Sequence, residues 1–470
     1  MTEIWQWGVV KTARAIRGGK ISARDAVDAA LSRMAAVNDT VNAVTVDLSD
    51  QARAAADHAD VTQASGVGTG PLHGVPVTIK ENIDQVGHST PNGIPALNDI
   101  IATEDSPVVT NLQEAGAVII GRTNTPEFSY RWFTDNPLRG KTLNPWNKDV
   151  TPGGSSGGAS SAVALGIGAM AHGNDLGGSL RYPAYACGMA TIRPSLGRVA
   201  AYNPTALEER PPLLQLMSVQ GPIAREVKDV RLSLEVMAKY DPRDPWQTPA
   251  PMEGSRVHGP IRVALTKEPA GVPCHPDVAN AIDDAGQILA AAGYEVEVID
   301  PPLVAEIVEA WRSLLMTDTR VMSEATMRGM GSEDFIRVLD GYMAASNTRD
   351  LEGYVRAVAD RTRLLRAWSV FMDDYPLVVA PVSQVPPLPQ DEDQKGNERI
   401  RQMLDEQSML YAVNMLGLPA AAVPTGLNNG VPMGVQIIGR RFREDMCLDA
   451  AQVIENSVGV LAEHLWAGTP

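Results

Sequence analysis

The sequence predicts an α/β fold, for which two observations indicate parallel strands and a third indicates a β-hairpin. Residues 75–120 follow a strand–helix–strand order, and residues 261–299 repeat that order later in the chain. Alternation of strands with helices is typical of a sheet that contains parallel segments. The third observation is Asn428-Asn429-Gly430 between two apolar runs, 420–427 and 433–438, a pattern that predicts an antiparallel β-hairpin.

The N-terminal region is predicted to be helical. Two helices are expected over residues 12–36, with a break at Gly18-Gly19. Ser22 is a candidate N-cap for the second helix, and Asp25 follows three residues later. The apolar positions of this helix form one stripe at helical spacing: Ala23, Ala26, Val27, Ala30, Leu31 and Met34. Such a stripe indicates a helix face that packs against the core.

The first strand–helix–strand unit places a lysine at the end of a strand. After a short strand at 42–46, apolar residues alternate over 75–79, as in a strand with one buried face, and Lys80 follows directly. Residues 106–115 predict a helix, and residues 118–120 a short apolar strand. Taken alone, Lys80 would be a lysine with a buried alkyl chain and an amine that reaches water.

The second half of the chain repeats this order before it becomes helical. Residues 261–265 and 295–299 predict strands on either side of a helix over 276–292. Residues 304–365 have a mostly helical pattern and carry no motif, and residues 377–382 predict a buried strand.

The composition of the 470-residue chain is that of an ordinary globular protein, with 44% hydrophobic and 20% charged residues. Its formal net charge of −16 disfavours binding to nucleic acids and to anionic membranes. No apolar run approaches the ~20 residues of a membrane helix, and the N-terminus lacks the apolar segment of a signal peptide. We therefore expect a cytoplasmic protein without nucleic-acid or membrane partners.

The cysteines give no sign of a metal site or of structural disulfides. Cys187, Cys274 and Cys447 are too few and too far apart in sequence for either. Reduced thiols, no metal and no cofactor are expected. The sequence does not determine the oligomeric state and leaves a homodimer open.

Two glycine-rich motifs, each carrying a serine, lie between residues 151 and 183. The motifs are Gly153-Gly154-Ser155-Ser156-Gly157-Gly158 and Asp175-Leu176-Gly177-Gly178-Ser179-Leu180-Arg181. Glycine lets backbone N–H groups approach a ligand without interference from a Cβ atom. A serine in such a place becomes a nucleophile when a neighbouring group removes its proton, and Lys80 is our candidate for that group.

These motifs resemble the signature of the amidase signature family. Ser155 and Ser179 are 24 positions apart, as are the corresponding serines of the family. The segment Val77-Thr78-Ile79-Lys80-Glu81-Asn82 matches the family's lysine motif. Three elements in the expected order are a more specific signal than any one of them alone.

The resemblance implies a fold and a domain organisation. The implied fold is a large mixed, mostly parallel central sheet covered by helices on both faces, in a single domain over residues 1–470. Residues 70–240 would form the catalytic core that carries the motifs. Residues 304–365 would be a helical segment and a candidate for one wall of the substrate pocket.

The resemblance also implies a role for each motif residue. Ser179 would attack the carbonyl carbon and form an acyl-enzyme, Ser155 would relay the proton, and Lys80 would act as the base. A cis peptide bond is implied between Gly154 and Ser155. It would aim the Ser155 hydroxyl between Lys80 and Ser179.

A second set of residues would support the reacting groups. Asp175 would brace the turn of the second motif through hydrogen bonds, and Arg181 would brace the same region. Their plainer interpretations are an ordinary turn aspartate and a solvated arginine. The negative charge on the carbonyl oxygen would be held by the backbone N–H groups of Leu176, Gly177, Gly178 and Ser179.

A catalytic role makes demands on the surroundings of Lys80. Lysine is a poor base at its ordinary pKa of ~10.4, so this side chain must be uncharged in the resting enzyme. Burial lowers the pKa of a lysine because the ammonium form loses its hydration. We therefore predict that Lys80 is buried among hydroxyl groups without a close carboxylate, and that Glu81 and Asp84 point elsewhere.

The same residues admit two other interpretations. His172, Asp175 and Ser179 could form a Ser-His-Asp triad, but no GxSxG motif is present and Lys80 fits the family's motif. The glycine–serine segment 153–158 could be a flexible loop or an anion-binding nest, and the second motif argues against both.

The predicted function is hydrolysis of a carboxamide C–N bond in a small aliphatic or aryl amide or an N-acyl amine. One alternative is the glutamine-hydrolysing subunit of a tRNA-dependent amidotransferase, and another is hydrolysis of a related carbamate, hydrazide or ester. A non-catalytic protein of the same fold is disfavoured because Lys80, Ser155 and Ser179 are all present. The acidic charge and the apolar stretches Trp132-Phe133 and 213–217 favour an apolar substrate over glutamine, although both stretches could equally belong to the core.

Overall fold

Eleven strands form one mixed β-sheet in the computed structural model, which describes residues 3–66, 69–206, 208–257 and 259–467. The strands are β1 Val44–Asp47, β2 Pro76–Lys80, β3 Val118–Thr123, β4 Met170–Asp175, β5 Ala190–Arg193, β6 Val219–Ala224, β7 Arg262–Leu265, β8 Glu295–Val298, β9 Leu377–Pro381, β10 Ala420–Asn428 and β11 Val431–Gly439. Their order across the sheet is β1-β3-β2-β4-β6-β5-β10-β11-β9-β7-β8.

Seventeen α-helices pack around this sheet within the described ranges. They are α1 Val9–Arg17, α2 Ala23–Val37, α3 Ser49–Ala64, α4 Pro107–Glu114, α5 Gly157–Ala164, α6 Arg181–Cys187, α7 Pro212–Met217, α8 Val227–Met237, α9 Pro276–Ala291, α10 Val304–Asp318, α11 Glu324–Met330, α12 Glu333–Ala344, α13 Leu351–Asp374, α14 Asn397–Glu406, α15 Ser408–Leu416, α16 Glu444–Val458 and α17 Ala462–Ala467. None of these described helices combines the length and the apolar composition that a membrane span requires.

The predicted mixed α/β sheet is confirmed, but the expectation that it is mostly parallel is wrong. Four neighbouring pairs are parallel, namely β2–β3, β2–β4, β7–β8 and β7–β9. The other six pairs of the described sheet are antiparallel. Both predicted strand–helix–strand units do form parallel pairs. The difference arises in the middle of the sheet, where the hairpin strands β10 and β11 each pair antiparallel with their outer neighbour as well.

The central strands are covered on both faces. Every residue of β2, β3, β6 and β9 is buried. Because successive side chains of a strand point to opposite faces, continuous burial requires helices or loops on both sides. This arrangement places the end of β2, and with it Lys80, in the interior of the protein.

Two local predictions from the sequence are confirmed in atomic detail. Ser22 caps α2, since its hydroxyl oxygen accepts from the Asp25 N–H and the Asp25 carboxylate accepts from the Ser22 N–H, both at 2.9 Å. The hairpin turn between β10 and β11 has positive φ angles at Asn429 (50°) and Gly430 (79°). Positive φ at both central residues is what a type I′ turn requires.

The segment 304–365 is helical, as predicted. It comprises α10, a π-helical turn at Thr319–Ser323, α11, α12 and the first part of α13. Helix α10 packs against both α13 and α15. These helices bring side chains from the least motif-rich part of the chain close to the glycine-rich motifs.

Candidate active site

Lys80 lies at the end of β2 with its amine in the interior. The residue has no exposed surface. Its Nζ atom is 2.6 Å from Ser155 Oγ, 2.7 Å from Asn174 Oδ1 and 3.2 Å from Ser156 Oγ. Two hydroxyl groups and one neutral amide therefore surround the amine, and the predicted hydroxyl environment is present.

The surroundings of Lys80 favour the uncharged amine. Burial lowers the pKa of Lys80 well below its ordinary value, and the charge of Asp175 opposes this effect without cancelling it. The neighbouring carboxylates point elsewhere, as predicted. Glu81 is paired with Arg139, and Asp84 accepts hydrogen bonds from Thr205. The amine can therefore accept a proton.

Ser155 reaches the amine because the loop before α5 fits tightly against its neighbours. The Gly154–Ser155 peptide bond is cis, as the resemblance implies. A Cβ atom on Gly154 would lie only 2.2 Å from the Arg131 carbonyl oxygen. Gly153 has a φ of 81°, a region that favours glycine. Gly153 and Gly154 are thus required by the conformation and the packing of this loop.

Ser179 lies across the same cavity but is not yet in contact with Ser155. Ser155, Asn174 and Ser179 all line a cavity of about 770 Å³, and Ser179 is 8% exposed. No hydrogen bond joins Ser155 Oγ to Ser179 Oγ among the described residues, so this predicted contact is absent. Catalytic hydrogen bonds are often long before substrate binds, which accounts for the difference.

Asp175 braces the turn that carries Ser179, as predicted. Its carboxylate accepts from the backbone N–H groups of Gly178 (2.9 Å) and Leu180 (3.2 Å), and from the guanidinium of Arg181 at 3.0 Å through both oxygens. Burial by itself would raise the pKa of Asp175, but Arg181 and Arg193 together hold it well below its usual range. Asp175 is therefore a permanently charged anchor for the turn.

The turn is also held from the opposite side by two tryptophans. The Trp311 indole N–H donates to the Leu176 carbonyl at 3.3 Å, and the Trp132 indole N–H donates to the Gly177 carbonyl at 3.1 Å. The C=O and N–H of one trans peptide unit point in opposite directions. Each tryptophan therefore sets the direction of the following N–H group.

This arrangement corrects one of the four predicted oxyanion donors. The Gly178 N–H is taken by the Asp175 carboxylate and is not available to a substrate oxygen. The N–H groups of Leu176, Gly177 and Ser179 have no acceptor among the described residues. Three of the predicted donors thus remain free to bind a negative oxygen.

The structure does not assemble the alternative Ser-His-Asp triad. His172 Nε2 lies 2.8 Å from Gln220 Oε1, and His172 Nδ1 accepts a hydrogen bond from the Lys80 backbone N–H at 3.4 Å. Burial lowers the pKa of His172 to about 3, which keeps the ring neutral. Neither ring nitrogen has a described hydrogen bond to Ser179 or Asp175. His172 serves to hold strands β2, β4 and β6 together.

A cluster of aromatic side chains, which we call the aromatic pocket, lies beside Ser179. Tyr130, Trp132, Trp311 and Tyr342 line it, together with Leu176, Gly177, Leu315 and Met316. Trp311 stacks on Tyr411 with ring centroids 4.1 Å apart. The pocket is small, about 50 Å³, and offers a largely apolar, aromatic lining next to the expected nucleophile.

The sequence prediction for this pocket was only partly right. Trp132 lines the pocket, whereas Phe133, Leu213 and Met217 are buried core residues. Trp311 and Tyr342 lie in the segment 304–365, the candidate for one wall of the substrate pocket, but neither residue was singled out because the segment carries no motif. No local pattern distinguishes them from ordinary core residues, and only the packing of α10 and α12 against the motif loops brings them to the site.

Comparison with known proteins identifies the family. The amidase family model matches residues 25–448, which include both glycine-rich motifs and Lys80. The chain belongs to the amidase signature family. This amidase is 52% identical over 465 residues to the indoleacetamide hydrolase of Bradyrhizobium diazoefficiens, a match that covers 98% of this chain and 88% of the relative.

More distant relatives share the same fold. This amidase is 32% identical to a subunit of the glutamyl-tRNA(Gln) amidotransferase of Moorella thermoacetica, over 93% of this chain and 94% of the relative. The crystal structure of a bacterial aryl acylamidase of the family superposes with a TM-score of 0.86 and 26% identity, covering 100% of both chains. The protein is thus an amidase that hydrolyses amide C–N bonds.

Proposed function

We propose that this amidase hydrolyses indoleacetamide or a closely similar arylacetamide to the carboxylic acid and ammonia. The observation that carries the proposal is the 52% identity to an indoleacetamide hydrolase over 98% of this chain. The aromatic pocket beside Ser179 supports it, because rings that line a pocket favour a planar apolar substrate group over a charged one.

The proposed reaction begins with two coupled proton transfers. Uncharged Lys80 takes the hydroxyl proton of Ser155, and Ser155 takes that of Ser179 as the Ser179 oxygen attacks the carbonyl carbon. The 2.6 Å distance between Lys80 Nζ and Ser155 Oγ supports the first transfer. The second requires Ser155 and Ser179 to come together when substrate fills their shared cavity.

The tetrahedral intermediate then breaks down to an acyl-enzyme. Its negative oxygen is held by the N–H groups of Leu176, Gly177 and Ser179, while Asp175 and the two tryptophans keep the turn rigid. Lys80 returns its proton through Ser155 to the leaving nitrogen, and ammonia departs. A water molecule attacks the ester on Ser179 by the same route, which releases the acid and restores the serine.

The amidotransferase interpretation stays a weaker candidate. It is supported by 32% identity to a protein of that class, compared with 52% to an indoleacetamide hydrolase. Glutamine carries an ammonium and a carboxylate that need charged partners. The one arginine of the aromatic pocket, Arg131, is already bound to Asp393 through two hydrogen bonds. The described lining of that pocket therefore has no spare charge for an amino acid, whereas the larger cavity that the two motif serines share is lined by charged side chains, among them Glu209 and Arg210.

A substrate panel tests the proposal. Purified enzyme is given indoleacetamide, phenylacetamide, acetamide, an anilide, glutamine and an aryl ester, and ammonia or amine release is measured. We expect kcat/KM for indoleacetamide to exceed that for acetamide and glutamine by at least about 100-fold, since a well-fitted ring adds several kcal/mol of binding. Glutamine turnover that equals or exceeds indoleacetamide turnover would overturn the proposal.

The cellular location, the partners and the oligomeric state of the protein stay predictions. A cytoplasmic location rests on the three free cysteines, and the absence of nucleic-acid or membrane partners rests on the acidic charge. A homodimer stays open. Light scattering on the purified protein would determine the oligomeric state.

A further inference from the structure

The third neighbour of the Lys80 amine is an amide side chain that belongs to neither serine motif. Asn174 occupies β4 one position before Asp175, and its Oδ1 lies 2.7 Å from Lys80 Nζ. The side chain is half-buried and lines the same cavity as Ser155 and Ser179. Its Nδ2 has no hydrogen-bond partner among the described residues. Asn174 therefore lies between the base and the substrate cavity.

The three contacts of Lys80 match the needs of an uncharged amine. Such an amine has two N–H bonds and one lone pair. The amide oxygen of Asn174 can only accept a hydrogen bond, so it takes one N–H, and Ser156 Oγ can take the other. The lone pair is then left facing Ser155 Oγ, the closest of the three atoms. A rotated amide would instead aim N–H bonds at the lone pair and compete with Ser155.

We infer that Asn174 is a positioning residue, whose oxygen orients the Lys80 lone pair toward Ser155 while adding no negative charge beside the amine. This inference rests on the proposed function, in which Lys80 is the base. A carboxylate at this place would hold the amine just as closely. It would also stabilise the ammonium form, which cannot accept a proton.

The other charged and titratable groups around Lys80 leave this role to Asn174. His172, from β4, meets the Lys80 backbone and is neutral, since burial lowers its pKa to about 3. Asp175 turns its carboxylate to Arg181, and Glu81 pairs with Arg139. From β3, Arg122 donates to the carbonyl of Ile83. Among the described residues, Asn174 is the one acceptor other than hydroxyl groups that reaches Nζ.

The test replaces the amide by a carboxylate of the same shape, in Asn174→Asp. The ascending limb of kcat/KM against pH reports the pKa of the essential base in the free enzyme. An opposite charge in contact shifts such a pKa by about 1–3 units. We expect the limb to move upward by about 1–3 pH units, so that kcat/KM falls about 10- to 1,000-fold at pH values below the wild-type limb and recovers at alkaline pH. A structural defect would lower the activity evenly at every pH.

Two further variants complete this test. Asn174→Ala removes the acceptor without adding charge, and we expect a fall in kcat of about tenfold with no alkaline shift, because general-base efficiency depends on alignment. Asn92→Asp adds the same charge to the same cavity and keeps the hydrogen bond from Ser129 Oγ (2.6 Å). The ascending limb of kcat/KM against pH in Asn92→Asp should move by less than half of the shift seen in Asn174→Asp.

The outcomes separate this inference from the proposed function. All variants are assayed with the best amide of the substrate panel, beside Lys80→Ala. Two results would overturn the positioning role if Lys80→Ala is inactive. The first is a pH profile of Asn174→Asp whose ascending limb coincides with that of wild type, and the second is a wild-type kcat in Asn174→Ala. Substantial activity in Lys80→Ala would instead remove Lys80 as the base, and with it the proposed mechanism.

Discussion

Arg181 donates one hydrogen bond to each carboxylate oxygen of Asp175, both at 3.0 Å, and neither side chain has any exposed surface. The pair sits directly beneath the turn that carries Ser179. Its two charges are buried together, so each depends on the other for compensation. The rigidity of this turn therefore depends on Arg181, although Arg181 does not line the cavity.

The first prediction concerns this buried pair. Arg181→Met leaves the Asp175 charge in the interior, where Arg193 at 3.8 Å is its remaining cationic partner among the described residues. Removing one member of a buried pair costs about 3–5 kcal/mol, so we expect a loss of this size in urea unfolding. The matched control is Arg401→Met, which breaks the exposed pair with Glu398 and should cost below about 1 kcal/mol.

A double variant shows whether the uncompensated charge is the cause. Adding Asp175→Asn to Arg181→Met removes the orphaned carboxylate, and we expect it to recover part of the lost stability. If adding Asp175→Asn lowers the free energy of unfolding further, the uncompensated carboxylate is not the cause of the instability of Arg181→Met.

The second prediction concerns the pH dependence of stability. Burial raises the pKa of Glu455 to about 7, and the nearby charges of Glu226 and Asp229 act in the same direction. In the unfolded chain Glu455 has an ordinary pKa of ~4.3, so between ~4.3 and 7 the folded state keeps a proton that the unfolded state has lost. The contribution of protonated Glu455 to the free energy of unfolding is therefore full below ~4.3 and is lost as pH rises through 7. The native state thus loses stability over this window.

Replacing Glu455 by glutamine should remove that loss. Glu455→Gln keeps an acceptor for the Val227 N–H, which Glu455 binds at 2.6 Å. We expect the variant to be more stable than wild type at pH 8, by up to about 3 kcal/mol, and equal to it at pH 4.5. Thermal unfolding at both pH values measures this, with the exposed Glu463→Gln as control. Equal stability of wild type and Glu455→Gln at pH 8 would refute the prediction.

The third prediction concerns substrate choice by the aromatic pocket. Ser346 follows α12 and lines the pocket with a small side chain. Ser346→Phe should occupy the space proposed for the substrate ring, so kcat/KM for indoleacetamide should fall at least about tenfold while that for acetamide changes little. The exposed Ser369→Phe is the matched control. Parallel losses for both substrates would mean that the ring binds elsewhere.

Local parts of the fold could be predicted from the sequence because their signals are local. The Ser22 cap needs only Asp25 three residues later, and the β10–β11 hairpin needs only Asn429-Gly430 between apolar runs. The two parallel units also follow from strand–helix–strand order. The antiparallel pairs β5–β10 and β9–β11 join strands far apart in sequence, and no local pattern carries that information.

The candidate site divides in the same way. Lys80, Ser155, Asp175 and Ser179 lie in motifs whose spacing marks them. The aromatic pocket draws on Trp311 and other side chains of a segment without motifs, and they reach the site only through tertiary packing. The hydrogen bond of the Gly178 N–H could not be predicted from the sequence either, because it depends on the orientation of the Asp175 carboxylate.

The central claim, that Ser179 is the nucleophile, is tested most directly by locating the acyl group. An activated aryl ester of indoleacetic acid is mixed with the enzyme, the reaction is stopped with acid, and tryptic peptides are examined by mass spectrometry. Trypsin releases residues 149–181 as one peptide that contains both Ser155 and Ser179, so fragment ions must assign the site. We predict the acyl mass on Ser179 in wild type and none in Ser179→Ala. An acyl group on Ser155, or undiminished amide hydrolysis by Ser179→Ala, would contradict the account.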